Sequence, residues 1–142
     1  MKYLILTSAL ILFFPIASCR DYITDVIDKT PPTIAINEST FSGGDTVTIT
    51  LINNSNSPIF VTGAYNLLEK KVSADWITYS ILVCGGECPE FQMNGKSSIT
   101  AKDEIANDGG IYRFVCAYSL KSGGSFEQKS KVYSGEFTVF QK

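Results

Sequence analysis

The sequence predicts an all-β protein: one sandwich of about seven antiparallel strands, preceded by a signal segment that is removed. Two observations support this fold class. From Thr33 to the C-terminus, short runs rich in Val, Ile, Thr, Tyr and Phe alternate with clusters of Gly, Asn, Ser and Asp, which is typical of strands joined by turns. Seven such runs fit into about 110 residues, and a chain of 142 residues has room for one domain but hardly for two.

The first 18 residues have the plan of a secretory signal peptide. A single lysine supplies a basic start, an apolar run follows over residues 3–16, and two small residues come next. A transmembrane helix would need about 20 apolar residues, and Pro15 and the charged pair after Cys19 end the run too soon. The segment 1–18 is therefore expected to be cleaved.

The tetrapeptide Ile16-Ala17-Ser18-Cys19 stands at the end of this run. It resembles the lipobox of bacterial lipoproteins, and the resemblance implies that the Cys19 thiol takes a diacylglycerol and that Cys19 becomes the first residue of the mature chain. Two or three acyl chains anchor a protein durably in a membrane. Arg20 follows where an Asp would favour retention at the inner membrane, so the outer membrane or the cell surface is the expected location.

The mature chain is expected to open with the lipidated cysteine and a linker, residues 19–32, which ends in the helix-breaking sequence Thr30-Pro31-Pro32. The β domain is expected over residues 33–142. Its clearest strand is Thr46–Ile52, in which apolar residues alternate with threonines, so one side should be buried and the other should meet water. The predicted strands in chain order are residues 34–36, 46–52, 59–68, 76–83, 97–101, 112–120 and 132–140.

The segment Asp108-Gly109-Gly110-Ile111-Tyr112-Arg113-Phe114 resembles the Asp-x-Gly-x-Tyr-x-Cys run that opens strand F of immunoglobulin domains. The resemblance implies an immunoglobulin-like β-sandwich in which the Tyr112 hydroxyl bonds back to the main chain just upstream, as a tyrosine corner. Phe114 stands at the family's cysteine position. The inter-sheet disulfide is therefore absent, and Phe114 should pack against Ile49 or Leu51.

Further short motifs extend the resemblance over residues 45–139. They are Trp76, Gly95-Lys96-Ser97, Gly110-Ile111-Tyr112-Arg113 and the closing run Val132-Tyr133-Ser134-Gly135-Glu136-Phe137-Thr138-Val139. In this order they are similar to the immunoglobulin-like modules of bacterial lipoproteins and exported proteins. The resemblance implies that Trp76, Tyr112 and Phe114 are buried structural residues, and that the module has a binding or structural role.

Three cysteines remain once Cys19 is lipidated: Cys84, Cys88 and Cys116. An exported compartment favours disulfides. Two glycines between Cys84 and Cys88 would let the chain fold back, so a local bridge is one interpretation, and a bridge from either of them to Cys116 is the other. Cys116 is expected on the core side of its strand, where it would be a buried thiol or a partner across the sheets.

Composition excludes several classes of function. Twelve basic and 14 acidic residues give a net charge of −2, so no nucleic-acid partner is expected. The absence of histidine removes the commonest metal ligand and general base. Residues 102–108 carry several oxygen-bearing side chains without the spacing of a calcium loop and are interpreted as a solvated turn. We expect no metal, no cofactor and no catalysis.

The expected function is a membrane-anchored, non-catalytic module of the cell envelope that binds a protein or glycan partner or has a structural role. The alternative is an inhibitor of a secreted hydrolase or protease, with residues 84–91 as its reactive loop. A partner surface is expected at the loops 53–58 and 121–129, where Phe126 stands among Gly, Ser and Lys. Aromatic residues beyond the needs of a small core are Phe60, Tyr65, Tyr79, Phe91, Phe126 and Tyr133.

Overall fold

The computed structural model describes residues 27–62, 67–81, 89–124 and 128–142. Over these residues the chain forms two β-sheets, which confirms the all-β prediction. Their strands are β1 (Thr33–Ile36), β2 (Thr40–Ser42), β3 (Thr46–Ile52), β4 (Ile59–Thr62), β5 (Leu67–Val72), β6 (Asp75–Ile81), β7 (Glu90–Met93), β8 (Ser98–Glu104), β9 (Gly110–Ser119), β10 (Ser130–Tyr133) and β11 (Phe137–Phe140). No helix within these ranges has the length and apolar character needed to span a bilayer.

The smaller sheet has three antiparallel strands in the order β1-β3-β8. Its central strand, β3, coincides with the predicted strand Thr46–Ile52. Val47, Ile49 and Leu51 are buried, because alternate side chains of a strand point to the same side of the sheet. This alternation places one side of β3 in the core and the threonine side at the surface.

The larger sheet is built around β9. β10 and β11 pair with successive parts of one edge of β9, and β4 and β5 pair with successive parts of the other edge. β6 extends the sheet beyond β5, β7 extends it beyond β4, and β2 joins β11 in parallel at the opposite side. The larger sheet is therefore five strand positions wide.

The eleven strands correspond to the seven predicted positions. β1 and β2 are two halves of a first strand that passes from one sheet to the other, and β4 with β5, β6 with β7, and β10 with β11 each form one position. β1, with the second and fifth positions, makes the smaller sheet, and β2, with the remaining four positions, makes the larger one. This is an immunoglobulin-like β-sandwich, as predicted.

Some strand boundaries differ from the prediction. The predicted strand 132–140 is interrupted over residues 134–136, since the five residues from Tyr133 to Phe137 lie opposite the four residues of β9 from Val115 to Tyr112. The predicted strand 59–68 is found as β4 and β5. The prediction missed β2 and β7, which have three and four residues and mixed polarity, too little for an alternating pattern to be visible.

The core contains the residues that replace the immunoglobulin disulfide. Phe114, Ile49 and Leu51 are at most 2% exposed and belong to one buried cluster, as predicted. Phe114 stacks on Phe137 with ring centroids 5.3 Å apart. Apolar contacts between the sheets thus stand where the family's disulfide would be.

The tyrosine corner is confirmed. The Tyr112 hydroxyl donates a hydrogen bond to the Asp108 carbonyl oxygen at 2.6 Å, four residues upstream. The Tyr112 ring is 1% exposed and stacks on Phe137. The bond ties the turn before β9 to the core.

The prediction that Trp76 is buried in the core is wrong. Trp76 is half-buried and lies opposite Lys71 in the β5–β6 pair, on the outer side of the larger sheet. The physical reason is strand register: Lys70 lies opposite the buried Tyr112, so its neighbour Lys71 and the partner of Lys71, Trp76, point away from the smaller sheet.

The turn predicted over residues 102–108 is wrong in its first half, because β8 continues to Glu104. Within a strand, Asp103 and Glu104 point to opposite sides of the sheet. Their carboxylates therefore diverge, which removes the geometric basis for a shared cation. The turn that follows begins with Ile105, whose side chain is buried.

Candidate functional site

One group of side chains on the outer side of the larger sheet combines aromatic rings with charges, and we call it the Arg113 face. Its members are Glu69, Lys71, Trp76, Arg113 and Tyr133, from β5, β6, β9 and β10. Arg113 points outward because its neighbours along β9, Tyr112 and Phe114, point into the core. Strand pairing then brings residues distant in sequence to one place.

Arg113 is held from three directions. Its guanidinium carbon lies 4.2 Å from the centroid of the Trp76 ring and 4.1 Å from that of Tyr133. The Nε group donates to Glu69 Oε2 at 2.7 Å, and Nη2 lies 2.7 Å from the same oxygen. Guanidinium groups stack well on aromatic rings and pair with carboxylates. Trp76, Arg113 and Tyr133 are therefore held in fixed positions in the absence of a partner.

The Arg113 face is accessible as well as ordered. Tyr133 is 43% exposed, and Ile111, two residues before Arg113 on β9, is 39% exposed. Lys71 lies with its Nζ 5.5 Å from the Trp76 ring centroid and 3.4 Å from Glu136 Oε1. Trp, Tyr and Arg are the residue types that contribute most to protein–protein binding, especially when they are held rigidly. The arrangement is therefore suited to recognition.

A second polar group surrounds the tyrosine corner. Lys70 Nζ lies 2.7 Å from Asp108 Oδ2 and 5.4 Å from the ring centroids of both Tyr79 and Tyr112. The hydrogen bond to Asp108 raises the pKa of Lys70, and the same contact lowers the pKa of Asp108. Burial, with support from Asp108, raises the pKa of Tyr79 to about 12. At neutral pH Lys70 and Tyr79 therefore keep their protons and Asp108 is ionised, and together these groups stabilise the corner.

A third polar group fastens the segment before β10 to the β4–β7 pair. The Lys129 side chain is 3% exposed, forms an ion pair with Glu90 and donates to Thr62 Oγ1 at 2.5 Å. Glu90 Oε1 also accepts hydrogen bonds from Ser122 Oγ at 2.6 Å and from the Gly123 main chain at 3.0 Å. The bond from Lys129, followed by that from Ser122, lowers the pKa of Glu90 to about 2. Glu90 is therefore a structural anion.

The described end of the predicted linker is attached to the domain. Asp28 accepts hydrogen bonds from Thr30 Oγ1 at 2.6 Å and from the Asn56 main chain at 2.8 Å, and its own amide donates to Ser57. The bonds from Thr30, and then that from Asn56, lower the pKa of Asp28 to about 2. Pro32 is buried. The chain thus joins the sandwich at the loop between β3 and β4.

A shallow cavity of about 330 Å³ lies beside this loop. It is lined mainly by polar residues, among them Thr50, Asn54, Lys96 and Ser98. Lys96 Nζ donates to the Asn54 carbonyl oxygen at 2.5 Å, so the cation already has a partner within the protein. Over the described ranges, no three His, Cys, Asp or Glu side chains are grouped so that they could hold a metal ion.

Of the four cysteines, the structure describes one. Cys116 is a free thiol that is buried on the core side of β9. Burial raises the pKa of the Cys116 thiol to about 12. Cys19, Cys84 and Cys88 lie outside the described residues, so the lipid anchor and the Cys84–Cys88 bridge stay predictions, whereas the alternative bridge to Cys116 is not found, because that thiol is free. Among the aromatics singled out, Tyr65 and Phe126 also lie outside, Phe60 and Phe91 are half-buried, and Tyr79 and Tyr133 are exposed.

No protein-family model matches the chain. No curated protein matches it either. Among solved structures, 45 chains match. An ASH/PapD-like domain of human CEP192 is 13% identical, with 94% of each chain covered and a TM-score of 0.36.

Two further matches are equally distant. A β-glucosidase from Listeria innocua, solved with gluconolactone, is 13% identical over 78% of this chain and 16% of its own, with a TM-score of 0.31. A chain from a structure on T-cell specificity and activation by the bacterial superantigen toxic shock syndrome toxin-1 is 13% identical over 79% of this chain and 100% of its own, with a TM-score of 0.33. The immunoglobulin-like fold of this protein is established by its own strand order and tyrosine corner.

Proposed function

We propose that this protein is a non-catalytic binding module, anchored by lipid at Cys19 to a membrane of the cell envelope, and that it recognises a protein partner through the Arg113 face. The observation that carries the proposal is the fixed and partly exposed trio of Trp76, Arg113 and Tyr133. Rigid aromatic and arginine side chains lose little conformational entropy when they bind, so they make effective anchors. If the captured partner is a glycan, the proposal of a protein partner is replaced by that of a glycan partner.

The binding test compares two sides of one strand. The mature chain carrying Cys19→Ser, immobilised as bait, is exposed to an envelope extract, and captured proteins are quantified by mass spectrometry. Trp76→Ala and Tyr133→Ala should reduce capture of a specific protein at least about tenfold. Asp75→Ala is the control, because Asp75 is exposed, neighbours Trp76 on β6 and points to the opposite side of the strand. Equal loss in all three variants, or capture of glycan alone, contradicts the proposal.

The anchor is tested separately. Cys19→Ser should move the protein from the membrane fraction to the soluble fraction, since the acyl chains provide the attachment. Arg20 supports an outer-membrane or surface location. Equal membrane retention of wild type and variant contradicts the lipid anchor without affecting the binding proposal.

The inhibitor alternative concerns residues 84–91. The described part of this segment ends in Glu90 and Phe91, which belong to β7 and pair with β4, and Glu90 is held by Lys129. A reactive loop needs an extended and accessible segment, so these two residues do not favour it. Inhibition assays against secreted hydrolases and proteases with the same Cys19→Ser chain decide between the alternatives.

A further inference from the structure

The two sheets differ in width on one side of the sandwich. The smaller sheet ends at β8, and no described residue pairs with the outer edge of β8. β1 contacts β10 across the sandwich, which aligns β1, β3 and β8 with β10, β9 and β5, so the larger sheet continues one strand further, to β6. An unpaired edge presents main-chain N–H and C=O groups, and a wider sheet beneath it provides a floor. We infer that this space, the β8 slot, binds a single extended peptide segment of a partner protein as an added antiparallel strand.

The floor and wall of the β8 slot are apolar. Ile77 and Tyr79 of β6 are 48% and 36% exposed. Both side chains point toward the core side of the larger sheet. Ile77 lies opposite Lys70, and the ring centroids of Tyr79 and the buried Tyr112 are 5.3 Å apart. Ile99 of β8 lies opposite the buried Leu51 but is only half-buried itself. An added strand would cover these side chains.

The width of the slot selects the occupant. Neighbouring strands lie about 4.8 Å apart, so the floor provided by β6 accommodates one strand. A second copy of this protein would bring its own β6 with its β8, and the two β6 strands would need the same space. A folded sheet edge therefore does not fit, whereas an isolated extended segment does. This occupant is independent of any partner at the Arg113 face.

The charge of Asp103 indicates which kind of peptide segment the β8 slot would bind. Asp103 lies opposite the buried Val47, so its carboxylate points into the far end of the slot, where it is half-buried and forms no described ion pair. An inward carboxylate disfavours a purely apolar strand and favours one with a cation at this position. Ile99 and Ala101 favour small apolar side chains at the positions of the bound segment that lie opposite them, which are alternate positions of that segment. The expected segment has a basic residue followed by two apolar residues at every second position.

Two synthetic probes test this pattern on the mature chain carrying Cys19→Ser. The first is acetyl-Lys-Thr-Val-Thr-Val-Thr-Ser-amide, and the second has Glu in place of Lys. Amide hydrogen exchange, followed by NMR, should show that alternate amides of β8 exchange rapidly in the free protein and become protected when the lysine probe is bound. The glutamate probe should bind at least about tenfold more weakly, and Asp103→Asn should remove this preference.

Matched variants locate the site. Ile77→Lys should weaken binding of the lysine probe at least about tenfold, whereas Phe140→Lys, at an exposed position on the outer side of the larger sheet next to the buried Val139, should change it less than about twofold. If Ile77→Lys does not fold, Ile77→Ser makes the same comparison. The inference is overturned if the amides of β8 are already protected in the free protein, if the protein dimerises through β8, if protection appears elsewhere, or if neither probe binds at about 1 mM.

Discussion

Replacing Tyr112 with Phe tests the tyrosine corner with the smallest available change. The substitution removes one oxygen atom and leaves the ring, which is 1% exposed and lies between Phe137, at 5.9 Å, and Tyr79, at 5.3 Å. These ring contacts should persist, so the lost hydrogen bond to the Asp108 carbonyl oxygen dominates the effect.

The magnitude follows from what happens to the acceptor. A typical hydrogen bond within a protein contributes about 0.5–1.5 kcal/mol, and leaving a buried acceptor unpaired costs about 1–3 kcal/mol. The Tyr112–Asp108 bond is only partly buried, so water can reach the Asp108 carbonyl oxygen once the hydroxyl is gone. We therefore expect Tyr112→Phe to lower the free energy of unfolding by about 1 kcal/mol.

Urea unfolding, followed by fluorescence, measures the change. Tyr133→Phe is the matched control, since Tyr133 is 43% exposed and its hydroxyl has no described hydrogen bond. The control should change the free energy of unfolding by less than about 0.5 kcal/mol. The Tyr112→Phe effect should also persist in an Asp108→Ala background, because the acceptor is the main-chain oxygen. Equal effects of Tyr112→Phe and Tyr133→Phe would refute the corner as a source of stability.

Three further predictions concern the polar groups and the free thiol. Arg113→Leu should lower the free energy of unfolding by about 2 kcal/mol, since it removes two stacking contacts and leaves Glu69 unpaired; urea unfolding measures this, and Glu69→Leu in the same chain should restore part of the loss. The pKa of Glu90 falls from 4.5 to about 2 on folding, so its contribution is present above pH 4.5 and is lost as the pH falls toward 2. The melting temperature should therefore fall less steeply between pH 6 and pH 2 for Glu90→Gln than for wild type, as thermal unfolding would show. The Cys116 thiol, with its pKa raised to about 12, should resist iodoacetamide at pH 8 in the native protein and react after unfolding, as mass spectrometry would show.

The parts of the fold that could be predicted depend on short-range patterns. Alternation over Thr46–Ile52 is a local property, and it gives both the strand and its buried side. The tyrosine corner is equally local, since the Tyr112 hydroxyl and the Asp108 oxygen are four residues apart. The presence of Phe114 at the family's cysteine position could be predicted for the same reason, because it depends on a single residue of the sequence.

The parts that could not be predicted depend on register between distant strands. Trp76 was expected in the core, but its side is set by the register that places it opposite Lys71, on the side of the larger sheet that the smaller sheet does not cover. The Arg113 face needs β5, β6, β9 and β10 to be aligned before its members meet. A one-residue shift in any of these pairs would turn side chains to the other side of the sheet. The nearest local signal was Arg113 itself, a charged residue between two core aromatics.

The attachment of the chain at Asp28 uses one of the loops that were expected to meet a partner, residues 53–58. Asn53, in the loop predicted to meet one, is fully buried, and its amide donates to the carbonyl oxygens of Ser57 and Asn94. This loop also carries the bonds to Asp28, so it serves the attachment. If Cys19 is the lipid anchor, the nine residues from Cys19 to Asp28 reach about 30 Å, and this end of the sandwich stays near the membrane. The Arg113 face and the β8 slot run along the strands on the flanks of the domain, where a partner can approach from the side.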